Sequence, residues 1–215
     1  MPCFFDDDDY EYYLECLAKA ASQYHVQIHA YVLLPSMVQI IATPQIEQGV
    51  SSMMQSLGRR YVQYINHKHR RSGTLWAGRY KSSLIDSQPF LLACYRYVEL
   101  KPMLSNLVEL PEEYKWSSFN YHTGRKSNKI IVDHPLYLSL GDTQIERADA
   151  YSNLFRYQFD KRLYEYIAET VKLGQVLGGD IFKEKIESIA NHRVRPLKRG
   201  RPKKSISSDR TVSDM

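Results

Sequence analysis

Residues 26–44, "VQIHAYVLLPSMVQIIATP", constrain the fold of this chain more than any other stretch. Two apolar runs rich in β-branched residues meet at Pro35-Ser36, a turn pair that predicts an antiparallel hairpin. Side chains alternate along a strand, so Met37 and Gln39 share one face of the second run while Val38 takes the other. That pairing of a thioether with an amide raises the question of what the face serves.

Helices are expected on both sides of the hairpin in sequence. In "FFDDDDYEYYLECLAKAASQY", Tyr10, Tyr13, Leu14, Leu17 and Ala21 recur at helical steps. The acids Asp6 to Asp9 suit the start of that helix through capping and the macrodipole. Four consecutive acids cannot all face one ion, which argues against reading them as a metal site. A second helix is predicted over residues 46–70, ending in Arg59, Arg60, Lys68, Arg70 and Arg71 with Tyr61 and Tyr64 between them. Cations interleaved with aromatics suit a nucleic-acid surface. The same tyrosines equally suit a core, with the cations at a helix C-terminus.

"SGTLWAGRYKSSLIDS" reads as a loop and a short strand. Pro89 is expected at the first helical position of "PFLLACYRYVELK", and Pro102 is expected to end that helix. Leu91, Tyr95 and Val98 form its apolar stripe. Tyr97 lies on a neighbouring stripe with Ala93, Cys94 and Lys101. Tyr95 and Tyr97 therefore point apart, and one of them is expected to face a cleft. A boundary is expected near "GRKSNK" at 124–129, followed by three helices within residues 145–190.

A chain of 215 residues can build one good core plus an extension. Seventeen tyrosines supply both packing area and hydroxyls. No apolar run approaches the roughly 20 residues of a membrane span, so no membrane partner is expected. Cys3, Cys16 and Cys94 are too few and too widely spaced for a disulfide framework or a zinc site, and read as reduced thiols. The net charge is +5, but "HRVRPLKRGRPKK" at 192–204 holds seven Lys/Arg and no acid. The basic excess is thus a feature of the tail, and it points to a polyanion, nucleic acid above all.

Five segments then stand in a telling order: "HAYVLLPSMVQIIATP", "GTLWAGRYKSSLIDS", "CYRYVELKP", "EYKWSSF" and "RVRPLKRGRPKK". In this order they resemble the REP-associated tyrosine transposases, bacterial relatives of the single-tyrosine, HUH-type insertion-sequence transposases. The resemblance runs from about Pro2 to Lys204. It implies an α+β fold: a ferredoxin-like antiparallel sheet with helices on one face, a C-terminal helical extension and a basic tail. The corresponding division is a transposase-like core at 1–124, a helical extension at 125–191 and an AT-hook-like tail at 192–215 that is expected to be disordered.

The resemblance also implies a chemistry, namely the cleavage and rejoining of single-stranded DNA in a mobile element. A tyrosine hydroxyl attacks a backbone phosphate, giving a 5′-phosphotyrosine and a free 3′-hydroxyl. Mg²⁺ or Mn²⁺, held by two histidines one residue apart on a strand, polarises the phosphate. An amide four residues after the tyrosine assists. Carried over, the nucleophile falls on Tyr97, the two histidine positions fall on Met37 and Gln39, and the amide falls on Lys101. Mg²⁺ wants hard oxygen ligands, which a thioether does not supply. One neutral amide oxygen makes a poor cage, and an ammonium would repel the ion. No metal is therefore expected to bind.

A further departure concerns the sheet. The resemblance implies a strand before "PCFF" that this sequence does not show, so a sheet edge is expected to stand unpaired; a mis-assigned start, a decaying gene, or a strand supplied by another chain each accounts for it. The DNA-binding parts look better kept. They are Arg59, Arg60, Lys68, Arg70, Arg79 and Lys81 in the core, and Arg199, Arg201, Lys203 and Lys204 in the tail. An Arg-Pro core of the AT-hook kind suits a narrow minor groove.

The expected activity is that of a cytoplasmic, nucleoid-associated transposase homologue that binds single-stranded or hairpin DNA, with cleavage impaired. The resemblance leaves monomer and homodimer open. Two alternatives stand beside this reading. One is an active transposase using Tyr97 with an altered or metal-free site, Lys101 serving as the cation and His29 as the base. The other is a decayed product that does not fold.

Overall fold

A computed structural model describes residues 2–191, 193 and 194. The expected hairpin forms as β1 (Val26–Leu34) and β2 (Met37–Pro44), paired antiparallel across the Pro35-Ser36 turn. Leu34 faces Met37, Val32 faces Gln39 and Tyr31 faces Ile40. The register shifts between Ile28 and Ala30, leaving His29 unpaired at a bulge.

The fold is α+β, with an antiparallel sheet and many helices. Among the described residues the sheet has two strands. The inner edge of β1 is closed by irregular chain instead of further strands. Leu33 N–H donates to the Trp116 carbonyl at 2.9 Å, Ser118 N–H to Tyr31 at 3.0 Å, and Val132 N–H to Ile28 at 2.8 Å. The opposite edge, that of β2, pairs with nothing among the described residues.

The helix α1 (Asp7–Gln23) begins at Asp6, whose carboxylate accepts from Asp9 N–H while Asp9 accepts from Asp6 N–H. That reciprocal capping box is what the acidic run provides. Tyr10, Tyr13, Leu17 and Ala21 are buried along the expected stripe. The helix α2 (Gly49–Lys68) packs along α1, burying Met53, Leu57, Tyr61 and Ile65. A side chain at Gly49 would stand 2.9 Å from the Tyr24 carbonyl oxygen, so the close approach of the two segments needs glycine there. Tyr61 is a core residue, its hydroxyl donating to the Cys3 carbonyl at 2.7 Å. Tyr64 stacks on Tyr12 with ring centres 3.9 Å apart.

The helix α3 (Ser87–Glu99) packs against both strands. It starts two residues before Pro89, which an N-terminal turn tolerates because its N–H groups lack intrahelical partners anyway. The helix ends at Glu99, short of Pro102, as expected. After Leu100 the chain makes one more turn, α4 (Lys101–Leu104), with the proline at its second position, where no N–H is required. The short strand expected within 72–87 is corrected. Among the described residues only Ile85 bridges there, to Leu177, with Leu177 N–H donating to Leu84 and Asp86 N–H donating to Leu177, each at 2.8 Å.

Past Glu99 the chain adds a 3-10 turn (Pro111–Glu113) and the short helices α5 (Phe119–His122) and α6 (Pro135–Leu138). The three expected helices follow as α7 (Gln144–Phe155), α8 (Lys161–Leu173) and α9 (Asp180–Ala190). Gly174 ends α8 at φ +65°, the left-handed cap for which glycine is suited. Tyr137, Tyr151, Ile167 and Leu177 join the same hydrophobic core as the hairpin and α1 to α3. No helix among the described residues is long and apolar enough to cross a membrane. All three cysteines are buried free thiols.

Two buried carboxylates tie distant elements together. Glu99 accepts from Ser118 Oγ at 2.5 Å and Tyr151 Oη at 2.6 Å, and sits 2.7 Å from His122 Nδ1, linking α3 to α5 and α7. Asp9 accepts from Phe5 N–H at 2.8 Å and from Lys68 Nζ at 3.0 Å, with His69 Nε2 at 3.1 Å, linking α1 to the end of α2. Burial works against the Asp9 charge, but Lys68, the Phe5 N–H and His69 hold its carboxyl below the ordinary range. Asp6, Asp9 and His69 are close enough to share an ion, yet the Lys68 ammonium sits 2.6 Å from Asp6 and 3.0 Å from Asp9 and meets their charge itself. Asp9→Asn is expected to lower the unfolding free energy by about 1–3 kcal/mol, measured as a drop in the urea midpoint without a change in slope.

Candidate active site

Tyr97 stands near the C-terminal end of α3, four residues before Lys101, which opens α4. Neither Tyr95 nor Tyr97 faces a cleft, so the expectation of one open tyrosine is corrected. Tyr95 is fully buried against His122 and Tyr151, its hydroxyl without a hydrogen-bond partner among the described residues. Tyr97 is 4% exposed. Its ring lies 5.1 Å from that of Tyr164 on α8, and the Lys101 ammonium rests 4.2 Å from its ring centre.

Lys101 donates to the Tyr164 hydroxyl at 3.0 Å. Burial disfavours its charge, but the Tyr164 and Tyr97 hydroxyls hold it above the ordinary lysine range. The ammonium is therefore a firm cation between two phenols. The approach of α8 is reinforced by Arg96, whose guanidinium donates to the Tyr157 carbonyl at 2.7 Å and lies 4.8 Å from the Phe159 ring. Spacing along the sequence carries no signal for this cover, because Tyr164 is 63 residues from its partner. The same holds for the Glu99 cluster beside it.

Met37 and Gln39 lie on the strand against which α3 packs. Met37 is 38% exposed, and the Gln39 side-chain oxygen is buried without a hydrogen-bond partner among the described residues. That oxygen is the one hard donor of the three positions. A thioether, one neutral oxygen and an ammonium do not make a Mg²⁺ or Mn²⁺ cage, so the residues present do not fit the ion.

His29 is occupied elsewhere. Its Nδ1 lies 2.7 Å from the Val132 carbonyl and must donate; its Nε2, 2.9 Å from Thr43 Oγ1, then accepts from that hydroxyl. The lone pair a base would use is thus engaged. Burial pushes the His29 pKa down despite the Val132 carbonyl, with His134 nearby in the same sense.

The expected DNA-binding cations divide. Arg59, Arg70 and Arg79 are exposed. Arg60 reaches Gln23 at 3.4 Å and Lys81 donates to the Lys172 carbonyl at 2.8 Å, both from exposed positions. Lys68 is held by three aspartates. Arg199, Arg201, Lys203 and Lys204, and with them the AT-hook-like stretch, lie outside the described residues.

The family model described as "Transposase IS200 like" matches residues 2–101. That span includes α1, the hairpin, α2, α3 and Lys101. Comparisons with curated proteins and with solved structures returned no match.

A neutral, buried His29 stabilises the fold above the unfolded histidine pKa near 6.5. Because its folded pKa lies lower, the unfolded chain binds the extra proton first, and stability falls as pH drops below about 6.5 until the folded pKa is reached. Unfolding free energies from denaturant melts between pH 8 and pH 5 are expected to decline over this window by up to about 1.4 kcal/mol per pH unit. His29→Gln is expected to flatten that slope.

Proposed function

From the match of residues 2–101 to the IS200-like transposase family, we propose a DNA-binding transposase homologue whose strand cleavage is impaired. The substrate class is single-stranded or hairpin DNA. The family reaction joins the Tyr97 oxygen to a backbone phosphorus, expels the 3′ oxygen as a hydroxyl and leaves a 5′-phosphotyrosine for later rejoining. The observation that carries the impairment is the burial of Tyr97, 4% exposed beneath Tyr164 with the Lys101 ammonium 4.2 Å from its ring. A phosphate cannot reach an oxygen so covered unless α8 withdraws. The donor set of Met37, Gln39 and Lys101 acts in the same direction, since it offers no divalent ion a cage.

Binding asks less of the site than cleavage does. Arg59, Arg60, Arg70 and Arg79 are exposed cations that can meet phosphates without any geometry at Tyr97. On this reading the chain occupies hairpin DNA in the cytoplasm without cutting it.

With a labelled single-stranded hairpin and Mg²⁺ or Mn²⁺, the expected result is a gel shift and no adduct that survives detergent. An adduct lost in Tyr97→Phe would overturn the impairment and favour the active alternative. Restoring the ligand positions alone leaves Tyr97 covered; Met37→His, Gln39→His and Lys101→Asn combined with Tyr164→Ala is expected to restore cleavage by at least about a hundredfold, the lower end of what a positioned catalytic group contributes. A cooperative thermal melt of the unaltered chain excludes the non-folding alternative.

A further inference from the structure

The "GRKSNK" segment, read from sequence as a boundary, forms one wall of a groove of about 250 Å³. Tyr31 of β1, Leu14 of α1 and the 115–121 segment form the rest. None of Tyr97, Lys101, Met37 and Gln39 lines it. Three lysines do, Lys115, Lys126 and Lys129, and no carboxylate residue is among the lining.

The lysines are not equivalent. Lys115 is paired with Asp7 at 2.5 Å and lies 4.5 Å from the Trp116 ring centre. Lys126 and Lys129 are exposed and form no ion pair among the described residues. The loop carrying them is fixed by its own hydrogen bonds. Arg125 and Lys126 N–H both donate to the Asn120 carbonyl, at 2.8 and 2.9 Å. Asn128 accepts from Ile130 N–H at 2.9 Å and donates to the Tyr31 hydroxyl at 2.8 Å. The Tyr31 hydroxyl thereby acts as an acceptor, and its own proton remains to be donated.

The aromatic lining is not arranged for base stacking. One face of Trp116 is stacked on Tyr10 with ring centres 4.7 Å apart, and Lys115 lies over the ring. Tyr31 is 3% exposed, which leaves little of its ring for a base. What the groove offers is positive charge and hydrogen-bond donors on a fixed loop. Those recognise phosphodiester oxygens and carry no base code.

We propose that this groove is a second DNA contact, distinct from the Tyr97 site, in which Lys126 and Lys129 hold the phosphate backbone of a bound strand without reading its sequence. The proposal rests on the DNA-binding reading above. Its test is the salt dependence of binding by the full chain, read by fluorescence anisotropy with three single-stranded oligodeoxynucleotides of equal length and unrelated sequence. Lys126→Ala/Lys129→Ala is expected to weaken all three alike, by on the order of tenfold at low salt, and to lower the log–log salt slope by about 1.4. Both side chains are exposed, so an unchanged melting temperature is expected and verifies the fold.

An unchanged affinity and slope in the double variant, with the unaltered chain binding normally, would overturn the groove and leave the DNA-binding reading intact. Weakening confined to one oligonucleotide would overturn the backbone assignment. Failure of the unaltered chain to bind any of the three would overturn both readings.

Discussion

β1 depends on hydrogen bonds that, among the described residues, no second regular strand supplies on its inner edge. Eight of its nine residues are buried, and a buried amide or carbonyl left unpaired costs free energy comparable to a lost hydrogen bond. β2 satisfies one edge. The other is satisfied piecemeal by the backbone of Trp116, Ser118 and Val132, by Ser118 Oγ accepting from Tyr31 N–H at 3.0 Å, and by the Tyr114 hydroxyl donating to Leu33 at 2.6 Å. Each partner comes from well beyond α3. The hairpin therefore dictates where the second half of the chain lies, and the two halves share a core as a result.

That dependence shapes the candidate site. Once Ser118 is fixed against Tyr31, its hydroxyl reaches Glu99, and Glu99 fixes Tyr151 and sits against His122. Glu99 is two residues from Tyr97, so the end of α3 is locked to α5 and α7. The chain then leaves α7, wraps Arg96 and lays α8 over the tyrosine. Covering Tyr97 is in this sense a consequence of satisfying β1, transmitted through one buried carboxylate.

How much of this was legible in the sequence follows from the range of each interaction. The hairpin, the capped first helix and the three late helices rest on local periodicity and turn chemistry, and the first two form where Pro35-Ser36 and the Asp6–Asp9 run say they should. The apolar stripe of Leu91, Tyr95 and Val98 was equally readable. The state of Tyr97 was not, because it is decided by Tyr164, and helical spacing says which way a side chain points but not what meets it there. Pro102 was legible too, since α3 ends at Glu99, before it. A proline ends a helix only where its N–H is needed, and a fresh turn beginning at Lys101 does not need it. The strand expected before Asp86 failed because a single bridge to Leu177 satisfies that backbone. The "GRKSNK" loop looked like punctuation, since nothing local reveals that Asn128 bonds to a tyrosine 97 residues away.

The free margin of β2 has a consequence for how the molecule behaves in company. Met37–Pro44 contains no lysine, no acid and no interior proline, the devices by which natural sheets discourage adhesion. Its amides and carbonyls form an uncharged template eight residues long, and an extended peptide of any origin can zip onto it with little desolvation of charge.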